Sequence, residues 1–109
     1  MGEARRLYGE AMQAHAEEDY KRVVSLCSLA VLFDMDDTRS HLELVQHVAQ
    51  KDSMRELYRQ ERRDQPKNPQ FPFLLGALAK ETEVKLELYS ASLNLDPEYV
   101  WAHVGLGQI

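Results

Sequence analysis

Two carboxylates and a hydroxyl follow an apolar segment closely, and this grouping has the most evident potential for chemistry in the sequence. The residues are Asp34, Asp36 and Thr38, and the segment before them reads Ala-Val-Leu-Phe over residues 30–33. A carboxylate can act as a nucleophile, and a hard cation such as Mg²⁺ accepts oxygen ligands of this kind. These residues therefore have to be weighed as a catalytic site against a structural role.

The string over residues 34–38, Asp-Met-Asp-Asp-Thr, resembles the first motif of haloacid-dehalogenase-type phosphatases, in which an apolar strand precedes Asp-x-Asp-x-Thr. The resemblance implies that Asp34 is the nucleophile and Asp36 the acid and base, with Mg²⁺ screening the charge. The later motifs of that family are missing, and residues 23–30 run into the string as a helix would. We expect Asp34, Asp36 and Asp37 to end one helix and start the next, and keep the phosphatase as an alternative.

Other side chains that could react or bind a metal are scattered along the chain. His15, His41, His47 and His103 form no His-x3-His pair, and none pairs with Cys27, the single cysteine. We therefore predict no metal site and no cofactor. The thiol lies on the predicted core face of its helix, where it would pack as a small apolar group.

The composition is that of an ordinary globular chain. With 109 residues, 44% of them hydrophobic and 28% charged, the chain can form one domain with a modest core. The net charge of −5 gives no support to a general role with nucleic acid. No apolar run approaches the roughly 20 residues that span a bilayer, and the N-terminus has no signal segment. We expect a cytoplasmic location and no membrane partner.

Apolar residues recur at spacings of three and four, which predicts an all-α protein. Asp19, Thr38 and Ser53 are predicted N-caps, and Ser53 forms a capping box with Glu56. The clearest break is at residues 65–69, where two prolines stand close together. The predicted helices span residues 3–17, 20–33, 38–51, 54–64, 71–80, 83–95 and 98–109.

A pair of helices closed by Asn-Pro or Asp-Pro recurs along the chain. The best-preserved closure is Leu-Asp-Pro at 95–97, which is followed by Trp-Ala and then Leu-Gly; Asn-Pro at 68–69 is another. This pattern resembles that of tetratricopeptide repeat (TPR) proteins across nearly the whole length. The resemblance implies one domain over 1–109, a right-handed superhelix of antiparallel helix pairs, and an irregular helical bundle is the alternative. The implied units are three repeats at about 4–37, 38–69 and 70–97 and a terminal helix at 98–109.

TPR arrays bind proteins and rarely catalyse reactions, so the resemblance implies a non-enzymatic scaffold that holds a peptide or partner segment in a concave groove. For Tyr8, Leu42 and Phe73, packing between repeats is an equal alternative. The residues that the resemblance assigns to the groove are Arg5, Tyr8, Met12, His15, Arg39, Leu42, Gln46, Ala49, Phe73, Ala77, Lys80, Trp101 and Val104.

The last predicted helix is apolar on its outer side, whereas a helix that caps an array should be polar there. We therefore expect a fragment of a longer array or a truncated one. A self-associating structural segment of a larger assembly is a further alternative function.

The basic residues of the fourth helix, with nearby Lys67, stand among acidic ones, which favours a solvated, salt-bridged face over a site for an acidic partner.

Overall fold

The computed structural model describes residues 2–48 and 51–109. The described residues form helices with no strand, so the predicted all-α class is confirmed. They belong to two compact units, Met1–Ala49 and Gln50–Ile109. The helices are α1 (Gly2–Ala16), α2 (Tyr20–Phe33), α3 (Thr38–His47), α4 (Lys51–Asp64), α5 (Gln70–Leu78), α6 (Thr82–Leu95) and α7 (Val100–Gly107).

A side-chain cap is present at the start of α2, whereas α3, α5, α6 and α7 begin without a side-chain cap hydrogen bond. Asp19 is the N-cap of α2, and its carboxylate accepts the backbone N–H of Arg22 at 3.3 Å, as predicted. The predicted N-cap at Thr38 is wrong, because Thr38 is already the first residue of α3 and Asp37 occupies the capping position. The predicted capping box at Ser53 is wrong, because α4 already begins at Lys51 and Ser53 lies inside it. The predicted end of the third helix falls partly on residues outside the described ranges.

In the first unit α2 packs against both α1 and α3. The contact surfaces consist largely of small or compact apolar side chains, among them Ala11, Ala14, Val23, Cys27 and Ala30, all at most 1% exposed. Small side chains let helix axes approach closely and fill the interface without voids. The exposed faces of α1 and α3 are thereby held in fixed positions.

In the second unit α5 packs against α4 and α6, and α6 also packs against α7. Tyr58, Phe71 and Leu74 are fully buried and are the largest such side chains in this unit. Gly76 of α5 and Gly105 of α7 both lie against the ring of Tyr89 from α6. The missing side chains at these two positions make room for the aromatic ring between the helices.

The boundary between the two units falls inside the second predicted repeat. That repeat, residues 38–69, pairs α3 with α4, and these helices belong to different units. The single domain, the repeat boundaries and the TPR-like superhelix therefore remain predictions.

Candidate functional site

Helix α1 has one buried and one partly exposed face. Ala4, Leu7, Ala11 and Ala14 recur at spacings of three and four and are buried. The predicted groove residues of this helix lie on the neighbouring face, with Arg5 exposed and Tyr8, Met12 and His15 partly exposed. The buried stripe orients these four side chains towards one side of the unit.

Helix α3 is divided in the same way. Its buried residues include His41, Leu44 and Val45, whereas Arg39 and Gln46 are exposed and Leu42 is partly exposed. Ala49, also predicted for the groove, lies outside the described residues. We refer to the exposed and partly exposed set on the two helices as the α1–α3 face; it comprises Arg5, Tyr8, Met12, His15, Arg39, Leu42 and Gln46.

Tyr8 and Arg39 join the two halves of the α1–α3 face. The guanidinium carbon of Arg39 lies 4.3 Å from the centroid of the Tyr8 ring, a cation–π contact. Burial raises the pKa of Tyr8, and the negative charge of Glu43 raises it further. The phenol therefore stays neutral at physiological pH and offers an apolar ring and a hydrogen-bonding hydroxyl on the same surface.

A second set of side chains meets on α1 and α3, and sequence analysis did not find it. His15, Glu43 and His47, which we call the histidine cluster, place one ligand atom each so that all three atoms lie within 4.8 Å of one another. The sequence signal was the Glu43-x3-His47 spacing, which puts both side chains on one helix face. His15 lies on a different helix, so no spacing along the sequence links it to the other two residues.

Aromatic contacts hold the two imidazoles of the histidine cluster. The Tyr20 ring stacks on His47, with centroids 4.6 Å apart and planes 17° from parallel. The edge of the His15 ring meets Tyr20 at 5.5 Å and His47 at 5.4 Å. These contacts restrict the rotation of both histidine rings.

The predicted groove residues of the second unit differ from those of the first in their exposure. Phe73 is only 4% exposed, and its ring centroid lies 5.7 Å from that of Tyr89 and 6.3 Å from that of Trp101. Phe73 therefore lies in the core of the second unit, which agrees with the alternative that this residue packs between helices. Ala77 and Trp101 are partly exposed. Lys80 and Val104 are exposed and remain untested as groove residues.

The basic residues of α4 line an open cleft of about 790 Å³ in the second unit. Arg55 forms an ion pair with Asp52, and both Arg59 and Arg63 lie within 4.0 Å of a Glu56 oxygen. These pairings agree with the predicted salt-bridged face, since acids on the same helix offset much of the positive charge. The cleft is lined by Arg55, Arg59, Arg62, Arg63, Leu75, Ala79, Lys80, Glu81, Val84, Glu87, Leu88 and Ala91.

The aspartates of the phosphatase-like string lie in the turn between α2 and α3. Asp34 is the C-cap of α2, and its carboxylate accepts the backbone N–H of Asp36 at 3.0 Å. The apolar residues before Asp34 are helical, and no strand occurs in residues 2–48 and 51–109. The strand that the phosphatase resemblance implies before the nucleophile is therefore replaced by a helix.

The described residues are thus all-α, and within each of the two units successive helices pack against one another. No protein-family model matches the chain, and no curated protein matches it at a significant level. None of the helices in the described ranges has both the length and the apolar character that crossing a membrane requires.

Proposed function

We propose that the chain is a TPR-like, non-enzymatic interaction module that binds an extended or helical segment of a partner protein. The observation that carries this proposal is the α1–α3 face. It combines Tyr8, Met12 and Leu42 with Arg5, Arg39 and Gln46, all at least partly exposed. Aromatic, Met and Arg side chains are enriched where proteins bind one another.

The helix order within each unit supports the TPR-like part of the proposal. In the first unit α2 packs against α1 and α3, and in the second α6 packs against α5 and α7. In a TPR array each helix pair buries its apolar face against the next pair, and this helix order is compatible with that arrangement. On this proposal α1 and α3 are successive first helices, which would line the concave side.

The test is to select peptide ligands for the wild-type chain from a random display library and to measure their affinities by isothermal titration calorimetry. We expect Tyr8→Ala and Arg39→Ala each to weaken binding at least tenfold, because truncated aromatic and arginine anchors carry a large share of binding energy. Lys21→Ala is the matched control, since Lys21 is an exposed cation on α2 and does not belong to the α1–α3 face. Ligands that bind both variants as tightly as the wild type would exclude this face.

The phosphatase alternative is tested separately. We expect no Mg²⁺-dependent hydrolysis of a generic phosphate ester by the wild-type chain, because a helix precedes Asp34. Turnover that requires Mg²⁺ and disappears in Asp34→Asn would instead establish that alternative.

Self-association is a second candidate function, which an apolar stripe on α2 favours. Leu29, Leu32 and Phe33 lie at spacings of three and four and are 43%, 81% and 58% exposed. Such a stripe can pack against the same stripe of another copy. Light scattering would then show a concentration-dependent dimer that Leu32→Glu abolishes, whereas a monomer at all concentrations would exclude this function.

A further inference from the structure

We propose that His15, Glu43 and His47 form a binding site for a divalent transition-metal ion of the zinc type. All three residues lie in the first unit, His15 in the last turn of α1 and the other two one turn apart on α3. The proposal concerns a metal site and does not rest on the proposed partner-binding function.

The distances suit a tetrahedral ion. Zinc bonds of about 2.0–2.1 Å at tetrahedral angles separate two ligand atoms by about 3.3 Å. Glu43 Oε2 and His47 Nε2 are 3.7 Å apart, and all three ligand atoms lie within 4.8 Å of one another. The atoms therefore lie close to the spacing that a tetrahedral ion requires, and binding would draw them slightly closer together.

The Nε2 atom of His47 supplies an independent reason to expect a ligand. This atom is buried, and it has no hydrogen-bond partner within residues 2–48 and 51–109. A buried polar atom without a partner is energetically unfavourable, because it has lost its hydrogen bonds to water. The 3.7 Å separation from the Glu43 carboxylate is too long for a hydrogen bond. A metal ion between the two groups would satisfy both.

The donor set selects the chemical class of the ion. Two imidazole nitrogens and one carboxylate are typical of zinc and of neighbouring first-row metals, whereas Ca²⁺ and Mg²⁺ prefer oxygen ligands throughout. Three protein ligands leave a fourth position of a tetrahedral ion for water or for a donor group from a bound molecule.

The surroundings of the cluster would keep the ligands in place. Glu43 and His47 have only 12% and 18% of their side chains exposed. Tyr20 stacks on His47 and also meets His15, so the same ring restricts both imidazoles. Ligands that are already oriented lose little conformational entropy when the ion binds.

Equilibrium dialysis of the tag-free full chain against ZnCl₂ tests the proposal. We expect one equivalent of Zn²⁺ to bind, and Co²⁺ in its place to give the intense visible absorption of a four-coordinate site. Glu43→Gln and His47→Gln should each weaken binding at least tenfold. His103→Gln is the matched control and should leave the affinity unchanged, because His103 is an exposed histidine of α7 in the other unit.

Two results would overturn the proposal. One is a wild-type chain that binds no stoichiometric Zn²⁺; the other is equal loss of affinity in His47→Gln and His103→Gln, which would indicate adventitious surface binding. If the cluster variants fail to fold, nuclear magnetic resonance of the wild type decides. Zn²⁺ should then shift the ring signals of His15 and His47 and leave those of His103 unchanged, and any other pattern excludes the site.

Discussion

The ring of Tyr89 lies against the backbone of Gly76, so closely that a Cβ atom at position 76 would come within 2.6 Å of Tyr89 Cε1. A Cβ at Gly105, on another helix, would come within 2.8 Å of the same ring. Tyr89 is buried, and it also contacts Phe73 with ring centroids 5.7 Å apart. The ring therefore cannot move away from either glycine without disturbing the core of the second unit.

Gly76→Ala should destabilise the second unit by about 1–2 kcal/mol. Overpacking of a core costs about 1–3 kcal/mol, and the better helix propensity of alanine returns part of that. Urea unfolding followed by the fluorescence of Trp101, the single tryptophan, which lies in this unit, measures the change. Gly107→Ala is the control, because a Cβ there meets no atom within 4 Å. If both variants unfold at the same urea concentration, the backbone of Gly76 does not lie in such close contact with the Tyr89 ring.

Ser92→Ala should cost about 1–2 kcal/mol, since it removes a buried hydrogen bond between two helical segments. The Ser92 hydroxyl donates to the carbonyl of Pro69, the N-cap of α5, at 2.7 Å, and the serine is fully buried. The same fluorescence assay applies. Ser90→Ala, at an exposed position of the same helix, should leave stability unchanged or raise it slightly. Equal effects of the two substitutions would contradict the role of this bond.

Lys85→Met should lower the free energy of unfolding of the second unit by about 1–2 kcal/mol while retaining most of the side-chain packing. The Lys85 ammonium donates to the carbonyl of Gly76 at 3.0 Å and approaches that of Ala77 at 3.5 Å. Both carbonyls belong to the last turn of α5, where a positive charge is favourable. The exposed Lys67, replaced by Met, provides the comparison in urea unfolding. If Lys67→Met lowers the free energy of unfolding by as much as Lys85→Met does, the effect comes from the loss of a positive charge in general.

The stability of the first unit should fall between about pH 9 and pH 11 because of Cys27. Burial raises the pKa of this thiol from 9.0 to about 11, and the negative charge of Glu43 acts in the same direction. The folded chain therefore retains the thiol proton at pH values where the unfolded chain has released it. The contribution is complete below pH 9 and is lost as the pH rises towards 11, at about 1.4 kcal/mol per pKa unit.

Urea unfolding of the wild type and Cys27→Ala, followed by circular dichroism across this pH range, measures that contribution. The wild type should lose about 2–3 kcal/mol more than the variant, since alanine has no proton to release. The small cavity in the variant shifts its stability equally at every pH. Parallel curves for the two proteins would show that the thiol titrates normally.

Local sequence signals account for the helix boundaries at two places in the chain. The side chain of Asp19 caps α2, and the prolines around residues 65–69 separate α4 from α5. Such signals act over about four residues, so a single sequence contains them in full. The prediction of an N-cap at Ser53 is wrong although Ser53 and Glu56 have the spacing of a capping box, because α4 begins earlier, at Lys51.

In the second unit, side chains are buried by contacts between helices, and the local sequence pattern does not reveal these contacts. Phe73 matched a groove position by its place on α5, yet α6 and the residues around α7 cover it through Tyr89, Tyr99 and Trp101. Helical periodicity identifies which residues share a face, but several neighbours can compete for that face.

The sequence by itself determined that this chain is helical and where its helices break, because backbone hydrogen bonding and capping depend on neighbouring residues. Only the tertiary structure brought His15 beside Glu43 and His47, and enclosed Tyr89 between Gly76 and Gly105. These contacts depend on how helices distant in sequence pack together, and that packing geometry is set by the fit of many side chains at once.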